Sequence, residues 1–97
     1  MARIQTQSTS DTYGSALSLQ AATTSVEVSF FDSGSLVAGT IKIEDPESNS
    51  LEIPIGANQS YTFSLPKGAA ASLTGGSGWT VKLKASSGTP TGQVLES

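Results

Sequence analysis

Two runs of alternating apolar and polar residues constrain this chain more than any other feature. A period of two residues places every second side chain on the same face of a β-strand. Residues 56–59 interrupt the alternation with Gly, Ala, Asn and Gln, so residues 51–65 are predicted to form a β-hairpin with one buried face. That face carries six large apolar side chains: Leu51, Ile53, Ile55, Tyr61, Phe63 and Leu65. So much apolar surface is expected to be covered by a second sheet.

The same period recurs along the chain in short segments separated by turn residues. Residues 15–21, 25–31, 36–44 and 79–85 all alternate in this way. No segment has the 3.6-residue period of a helix over a convincing length. The pattern predicts an all-β fold of about seven to eight short strands, as an antiparallel β-sandwich (jelly-roll-like) or a small barrel.

Individual residues refine this prediction at several points. Pro54 lacks a backbone donor, which places its strand at a sheet edge or at a bulge. Gly39 predicts a bend or bulge within residues 36–44, and residues 66–68 predict a turn. Residues 69–73 fit either a short strand or one helical turn. Residues 93–97 fit either a last short strand or a free tail.

The chain length of 97 residues fits a single domain, predicted to cover residues 11–97. Residues 1–10 are polar, with Ile4 as their only large apolar side chain. They fit either a disordered tail or an N-terminal arm that orders on a neighbouring subunit, since Arg3 and its neighbours are compatible with a strand. Tyr13 lies in a turn-like segment and is expected to anchor this tail to the core.

Composition excludes several classes of function. The net charge is −3 and the cationic residues are scattered, which argues against nucleic-acid binding. The chain has neither Cys nor His, which excludes a disulfide framework, thiol chemistry, most zinc sites and the Ser-His-Asp triad. The first residues lack the apolar region of a secretory signal, and no apolar run reaches the roughly 20 residues that span a bilayer. Synthesis in a cytoplasm is therefore expected, with no membrane partner.

Two groups of residues invite a chemical interpretation. Asp45, Glu47 and Asn49 alternate in a loop, but the glycine and the late bidentate Glu of a calcium loop are missing, so a solvated loop is expected. Trp79, Tyr61 and Tyr13 could stack on sugar rings in a carbohydrate-binding module, although Trp79 is expected in the core because it opens an alternating strand. No base accompanies any serine, and a 97-residue sandwich with small loops has little room for the deep cleft of a glycosidase that works with two carboxylates. No enzyme, metal or cofactor is therefore predicted.

What remains is the protein surface. Ser and Thr make up roughly three in ten residues, well above typical usage, and charged residues make up only 13%. Flat faces with little charge suit packing against another protein, because buried charge is costly. An open strand edge also suits pairing with a strand of a neighbour.

Three stretches resemble the small all-β virion proteins of tailed bacteriophages, especially capsid decoration or cement proteins. They are residues 11–19 after the polar N-terminus, residues 24–28, and residues 53–66. The resemblance implies a sandwich on the outer capsid lattice, often trimeric, that bridges capsomers with a terminal arm. Alternatives are a tail, neck or head-fibre component of the virion, and the carbohydrate-binding module.

The resemblance implies the major capsid protein, or another virion protein, and further copies of the chain as partners, in a trimer or dimer. Predicted interface residues are Arg3 and Ile4 on the arm, Tyr13 after it, and Pro54 at the exposed edge. Deleting residues 1–10 is then expected to weaken attachment to the capsid and to leave the fold intact.

Overall fold

A computed structural model, which describes residues 2–65 and 76–97, is all-β, and those residues contain no helix. The described residues form nine strands, which are β1 (Arg3–Ser8), β2 (Leu17–Ser18), β3 (Ser25–Asp32), β4 (Ser35–Leu36), β5 (Gly39–Glu44), β6 (Ser50–Ile55), β7 (Tyr61–Ser64), β8 (Thr80–Ala85) and β9 (Thr91–Glu96). The strands belong to two antiparallel sheets, so the predicted fold class is confirmed. The count exceeds the predicted one because β1 belongs to the fold and the two-residue β4 is a separate strand.

The sheets have the strand orders of a jelly roll. Sheet A runs β1-β9-β3, and both β7 and the short β4 pair with the far side of β3. Sheet B runs β2-β8-β5-β6. Apart from β4, the chain distributes its strands between the sheets as two interleaved Greek keys do. Both sheets keep open edges, so the sandwich prediction is confirmed and the closed barrel is wrong.

The core lies between the alternating faces of the central strands. Its fully buried side chains include Val26, Val28, Phe30, Ile41, Val81, Leu83 and Val94. Burying an apolar side chain of this size contributes about 1.5–3 kcal/mol. Trp79 is buried beside them, with 2% of its surface exposed, as its place in the alternation predicted.

Gly39 marks the crossing from sheet A to sheet B between β4 and β5. A Cβ atom at this position would lie 2.5 Å from a ring carbon of Phe30, so only glycine fits here. The predicted bend is confirmed. The preceding turn is tight, since Asp32 pairs with Ser35 and the two residues between them, Ser33 and Gly34, both have positive φ.

The predicted hairpin over residues 51–65 is wrong. β6 pairs with β5 in sheet B, whereas β7 pairs with β3 in sheet A. Residues 56–60 connect the sheets, and the Asn58 N–H donates to the Leu36 carbonyl oxygen at 3.0 Å. Alternation specifies which side chains share a face of a strand, but it does not specify which other strand pairs with it. The two apolar faces therefore meet across the core and do not form one continuous surface.

Both ends of the described chain are strands of sheet A. β1 pairs with β9 over six residues, from Arg3 opposite Glu96 to Ser8 opposite Thr91. The expectation of a tail or separate arm is therefore wrong for residues 3–8, because the edge of β9 binds them. β9 lies between β1 and β3, so the strand alternative for residues 93–97 is confirmed and the free tail is wrong. The predictions for residues 66–68 and 69–73 lie outside the described residues.

Candidate interaction surfaces

A seam of polar contacts closes one side of the sandwich, where β1 lies beside the segment that contains β2. The inward side chains of β1 are Arg3, Gln5 and Gln7, where the other strands carry apolar residues. Arg3 Nη2 donates to the Ser18 carbonyl oxygen at 2.8 Å, and Gln5 Nε2 donates to the same oxygen at 2.9 Å. Gln7 Nε2 donates to the Ser15 carbonyl oxygen at 3.0 Å. These bonds tie the edge of sheet A to the edge of sheet B.

Glu96 lies at the centre of this seam and is fully buried. Its Oε2 accepts hydrogen bonds from Arg3 Nε at 2.8 Å and Gln5 Nε2 at 3.0 Å. Its Oε1 accepts from the Gln20 N–H at 2.7 Å and from Thr23 Oγ1 at 2.9 Å. Burial alone would raise the pKa of Glu96, but the bonds from Arg3, Gln20, Thr23 and Gln5 outweigh it and hold the pKa below its ordinary value.

Two large apolar side chains are exposed among the described residues, and both lie on edge strands. Ile4 on β1 is 59% exposed and Leu51 on β6 is 49% exposed. β1 lies at the side of the sandwich next to β2, whereas β6 lies at the other side, where residues 56–60 lead to β7. Ile4 and Leu51 therefore occupy diagonally opposed corners, one on each sheet.

Tyr13 lies across the outer face of sheet B and does not reach the core. The Gly14 N–H donates to the Leu83 carbonyl oxygen at 3.1 Å, which holds this segment beside β8. Tyr13 Oη donates to Glu52 Oε1 on β6 at 2.5 Å. Burial and then the Glu52 carboxylate raise the pKa of Tyr13 to about 12, because both disfavour the phenolate. Tyr13 was expected to anchor the N-terminal segment to the core, but it contacts the outer face of sheet B instead.

Lysine side chains accompany Tyr13 on this outer face. Lys84 Nζ lies 4.8 Å from the centroid of the Tyr13 ring, and Lys42 Nζ lies 5.9 Å from it. In the strand register, Lys42 is opposite Lys82 on β8 and opposite Glu52 on β6. The face therefore places two ammonium groups beside one aromatic ring.

The residues predicted at an interface do not form one cluster. Tyr13 and the exposed Pro54 share the outer face of sheet B, and β6 is an edge strand as Pro54 predicted. Arg3 and Ile4 are neighbours on β1 but face opposite ways, Arg3 toward Glu96 and Ile4 toward solvent. Their role in an interface stays a prediction. Sequence reasoning missed Glu96 and the lysines, although the alternation of Lys82 and Lys84 already placed those two on an outer face.

In the loop between β5 and β6, the Asp45 carboxylate accepts its hydrogen bonds from residues of the same loop. Asp45 Oδ1 accepts from the Glu47 and Asn49 N–H groups, each at 2.9 Å, and Oδ2 accepts from Asn49 Nδ2 at 3.1 Å. Burial would raise the pKa of Asp45, but these bonds, first those from Asn49, lower it overall. Asp45 is buried, contrary to expectation, whereas residues 46–50 of the loop are exposed as expected. In residues 2–65 and 76–97, no group of three or more His, Cys, Asp or Glu could hold a metal ion.

The aromatic residues offer little surface for stacking on a sugar. Trp79 is buried, and its indole Nε1 has no hydrogen-bond partner among the described residues. Tyr61 is half-buried, with its ring centroid 5.9 Å from that of Phe63.

Within the described part of the chain, no helix is long and apolar enough to cross a membrane. Comparison with protein-family models, curated proteins and solved structures found no match to this chain.

Proposed function

We propose that this chain is a non-enzymatic structural protein of a tailed-bacteriophage particle, a capsid decoration or cement protein that bridges capsid subunits. The observation that carries the proposal is the placement of Ile4 and Leu51 at diagonally opposed corners. A protein that bridges two neighbours needs two separate contact surfaces. Each corner combines an exposed apolar side chain with an open strand edge, and both features suit contact with a partner.

The fold and the surface support the same proposal. Jelly rolls serve as viral capsid domains and as lectin domains, so the fold is compatible with a place in a particle. The outer face of β1 carries Thr6 and Ser8 beside Ile4 and no charged side chain. Such a surface can be covered by another protein without burying an unpaired charge.

Bridging would stabilise the head through many small contacts. A single stable interface buries about 1,200–2,000 Å² in total, an area that a bridging protein has to divide between two neighbours. Contacts at both corners gain from effective concentration, because the second contact forms while the first holds the chain in place. The mechanism thus needs both corners of one molecule.

The test is the presence, number and position of this chain in purified particles of the phage that encodes it. Quantitative mass spectrometry is expected to give a copy number comparable with that of the major capsid protein, and antibody labelling is expected to decorate the head. A copy number like that of a single vertex or tail ring would favour the tail, neck or head-fibre alternative. Absence from purified particles would overturn the proposal.

A further inference from the structure

The outer face of sheet B concentrates positive charge in a chain whose net charge is −3. Three of its five cationic side chains lie there, Lys42 on β5 and Lys82 and Lys84 on β8. All three residues are half-buried. The chain therefore has an uneven charge distribution, with most of its carboxylates on other surfaces.

These lysines have no carboxylate partner within the described structure. The one salt bridge among the described residues joins Arg3 to Glu96 on the other sheet. Lys42 and Lys82 face each other directly across neighbouring strands, an arrangement that destabilises a sheet. Glu52 is opposite Lys42 in register but forms no salt bridge with it, and the Glu52 carboxylate accepts a hydrogen bond from Tyr13.

Tyr13 lies beside two of the three ammonium groups. Its ring lies within cation–π distance of Lys84, at 4.8 Å, and of Lys42, at 5.9 Å. The ring is itself fixed at both ends, by the hydroxyl bond to Glu52 and by the backbone bond of Gly14 to β8. Lysine side chains ordered before binding lose less conformational entropy when a partner arrives.

We propose that the lysine face, defined as Tyr13, Lys42, Lys82 and Lys84, docks on a carboxylate-rich protein surface. The inference rests on the proposed function and deepens it, because it gives the chemistry of the partner surface. Glu44 and Glu52 lie on the same face and would repel the continuous phosphate chain of a nucleic acid. A protein surface can place its carboxylates opposite the lysines and its donors opposite these two acids.

Polyglutamate serves as the probe, titrated into the isotope-labelled full chain while amide chemical shifts are followed by NMR. The shifts are expected to change mainly at Lys42, Lys82, Lys84 and Tyr13. The triple variant Lys42→Gln, Lys82→Gln, Lys84→Gln is expected to bind at least about tenfold more weakly, as the loss of several partly exposed ion pairs implies.

Two single variants provide a matched control for net charge. Glu44→Gln removes a carboxylate from the outer face of sheet B, beside the lysine face, whereas Glu27→Gln removes one from the outer face of sheet A. We expect Glu44→Gln to tighten polyglutamate binding about two- to fivefold and Glu27→Gln to leave it unchanged. Equal effects would show that overall charge governs binding and would overturn the inference.

Three further results would also overturn it. They are shift changes confined to other surfaces, undiminished binding of polyglutamate by the triple lysine variant, and tighter binding of a single-stranded oligonucleotide than of polyglutamate. Attachment to particles separates this inference from the proposed function. If the wild-type chain and the triple variant attach equally well, the lysine face is not the docking surface while the function stands. If the wild-type chain is absent from particles, the proposed function fails whatever polyglutamate does.

Discussion

Glu96 is the residue at which the edges of the two sheets meet. Two of its four donors come from β1, Arg3 and Gln5, and two come from the segment after β2, Gln20 and Thr23. A buried carboxylate is tolerated only when it is paired and its lone pairs are occupied. The positions of the β1 edge of sheet A and of the segment after β2 in sheet B therefore both depend on the Glu96 side chain.

Replacing Glu96 with Gln should destabilise the fold. The amide keeps the size of the side chain but brings one acceptor oxygen instead of two, and it leaves Arg3 without its charge partner. We expect the free energy of unfolding at neutral pH to fall by about 2–4 kcal/mol, measured by urea denaturation. The control is Glu27→Gln, an exposed change of the same kind expected to cost less than about 0.5 kcal/mol. Equal stability of the two variants would contradict this role of Glu96.

The same substitution should alter the response to acid. The pKa of Glu96 in the folded chain lies below its ordinary value of 4.5, so its contribution is complete above that pH and is lost as the pH falls through the folded pKa. Wild-type stability should therefore decline below about pH 4.5 more steeply than that of Glu96→Gln. Asp45 titrates in both proteins, which leaves the difference to Glu96. If the free energy of unfolding fell equally steeply with decreasing pH in the two proteins, this role of Glu96 would be contradicted.

Tyr13 should titrate at unusually high pH. Its pKa is raised from 10.0 to about 12, so its contribution to stability is present below pH 10.0 and is lost as the pH rises toward about 12. Ultraviolet titration in a Tyr61→Phe background isolates Tyr13. Glu52→Gln should lower the pKa of Tyr13 toward 10.0, because the carboxylate that accepts its hydrogen bond is gone. An unchanged titration in that variant would show that Glu52 has no part in the shift.

Among the elements, β1 is held unlike any other strand. Its inward side chains are all polar, and its one large apolar side chain, Ile4, points to solvent. It is therefore retained by backbone pairing with β9 and by the polar seam, and it buries no apolar anchor in the core. β1 is therefore held by hydrogen bonds, which include those to Glu96, and by the salt bridge between Arg3 and Glu96.

Deleting residues 2–8 is therefore expected to damage the fold, contrary to the expectation from sequence. Glu96 would lose Arg3 and Gln5 while the core would still bury it. We expect the free energy of unfolding to fall by at least about 3 kcal/mol and the amides of β9 to lose protection from hydrogen exchange. Ile4→Thr keeps the strand paired and should cost less than about 1 kcal/mol. A deletion variant as stable as the full chain would show that β1 is dispensable.

The strands differ in how far sequence could predict them. β3, β5 and β8 alternate Val, Ile, Phe or Leu with polar residues, and the structure buries the predicted face of each. β9 contains Thr91, Gly92 and Gln93 and has no apolar run, yet it occupies the middle of sheet A. Its burial comes from long-range pairing with β1 and β3, which local periodicity does not encode.

The polar sites were less predictable than the strands for a physical reason. A charged residue is normally exposed, so nothing local marks Glu96 as buried. Its burial depends on Arg3, which is distant in sequence and becomes a neighbour only when β1 pairs with β9. Arg3 was predicted at an interface with another subunit, and the structure shows its contacts within the chain.

At the scale of the whole molecule, the jelly roll places the polar seam, the lysine face and the exposed apolar side chains on different parts of its surface. One side is closed by the polar seam, the outer face of sheet B carries the lysine face, and two exposed apolar side chains lie at opposed corners. A bridging protein must contact two neighbours at once without the two contacts interfering. Corners on different sheets satisfy this requirement, because a partner bound at Ile4 does not cover Leu51.

Bridging therefore predicts that each corner is required for stabilising the particle. Ile4→Lys and Leu51→Lys place a charge in one corner each, while Ser87→Lys makes the same change in the exposed loop between β8 and β9. Each corner variant should remain folded and keep measurable attachment through the other corner. Each should nevertheless lose most of the increase in the temperature at which heads release their DNA, because a chain attached at one corner joins no subunits. Ser87→Lys should stabilise heads as the wild type does, and a single corner variant that did the same would exclude bridging through that corner.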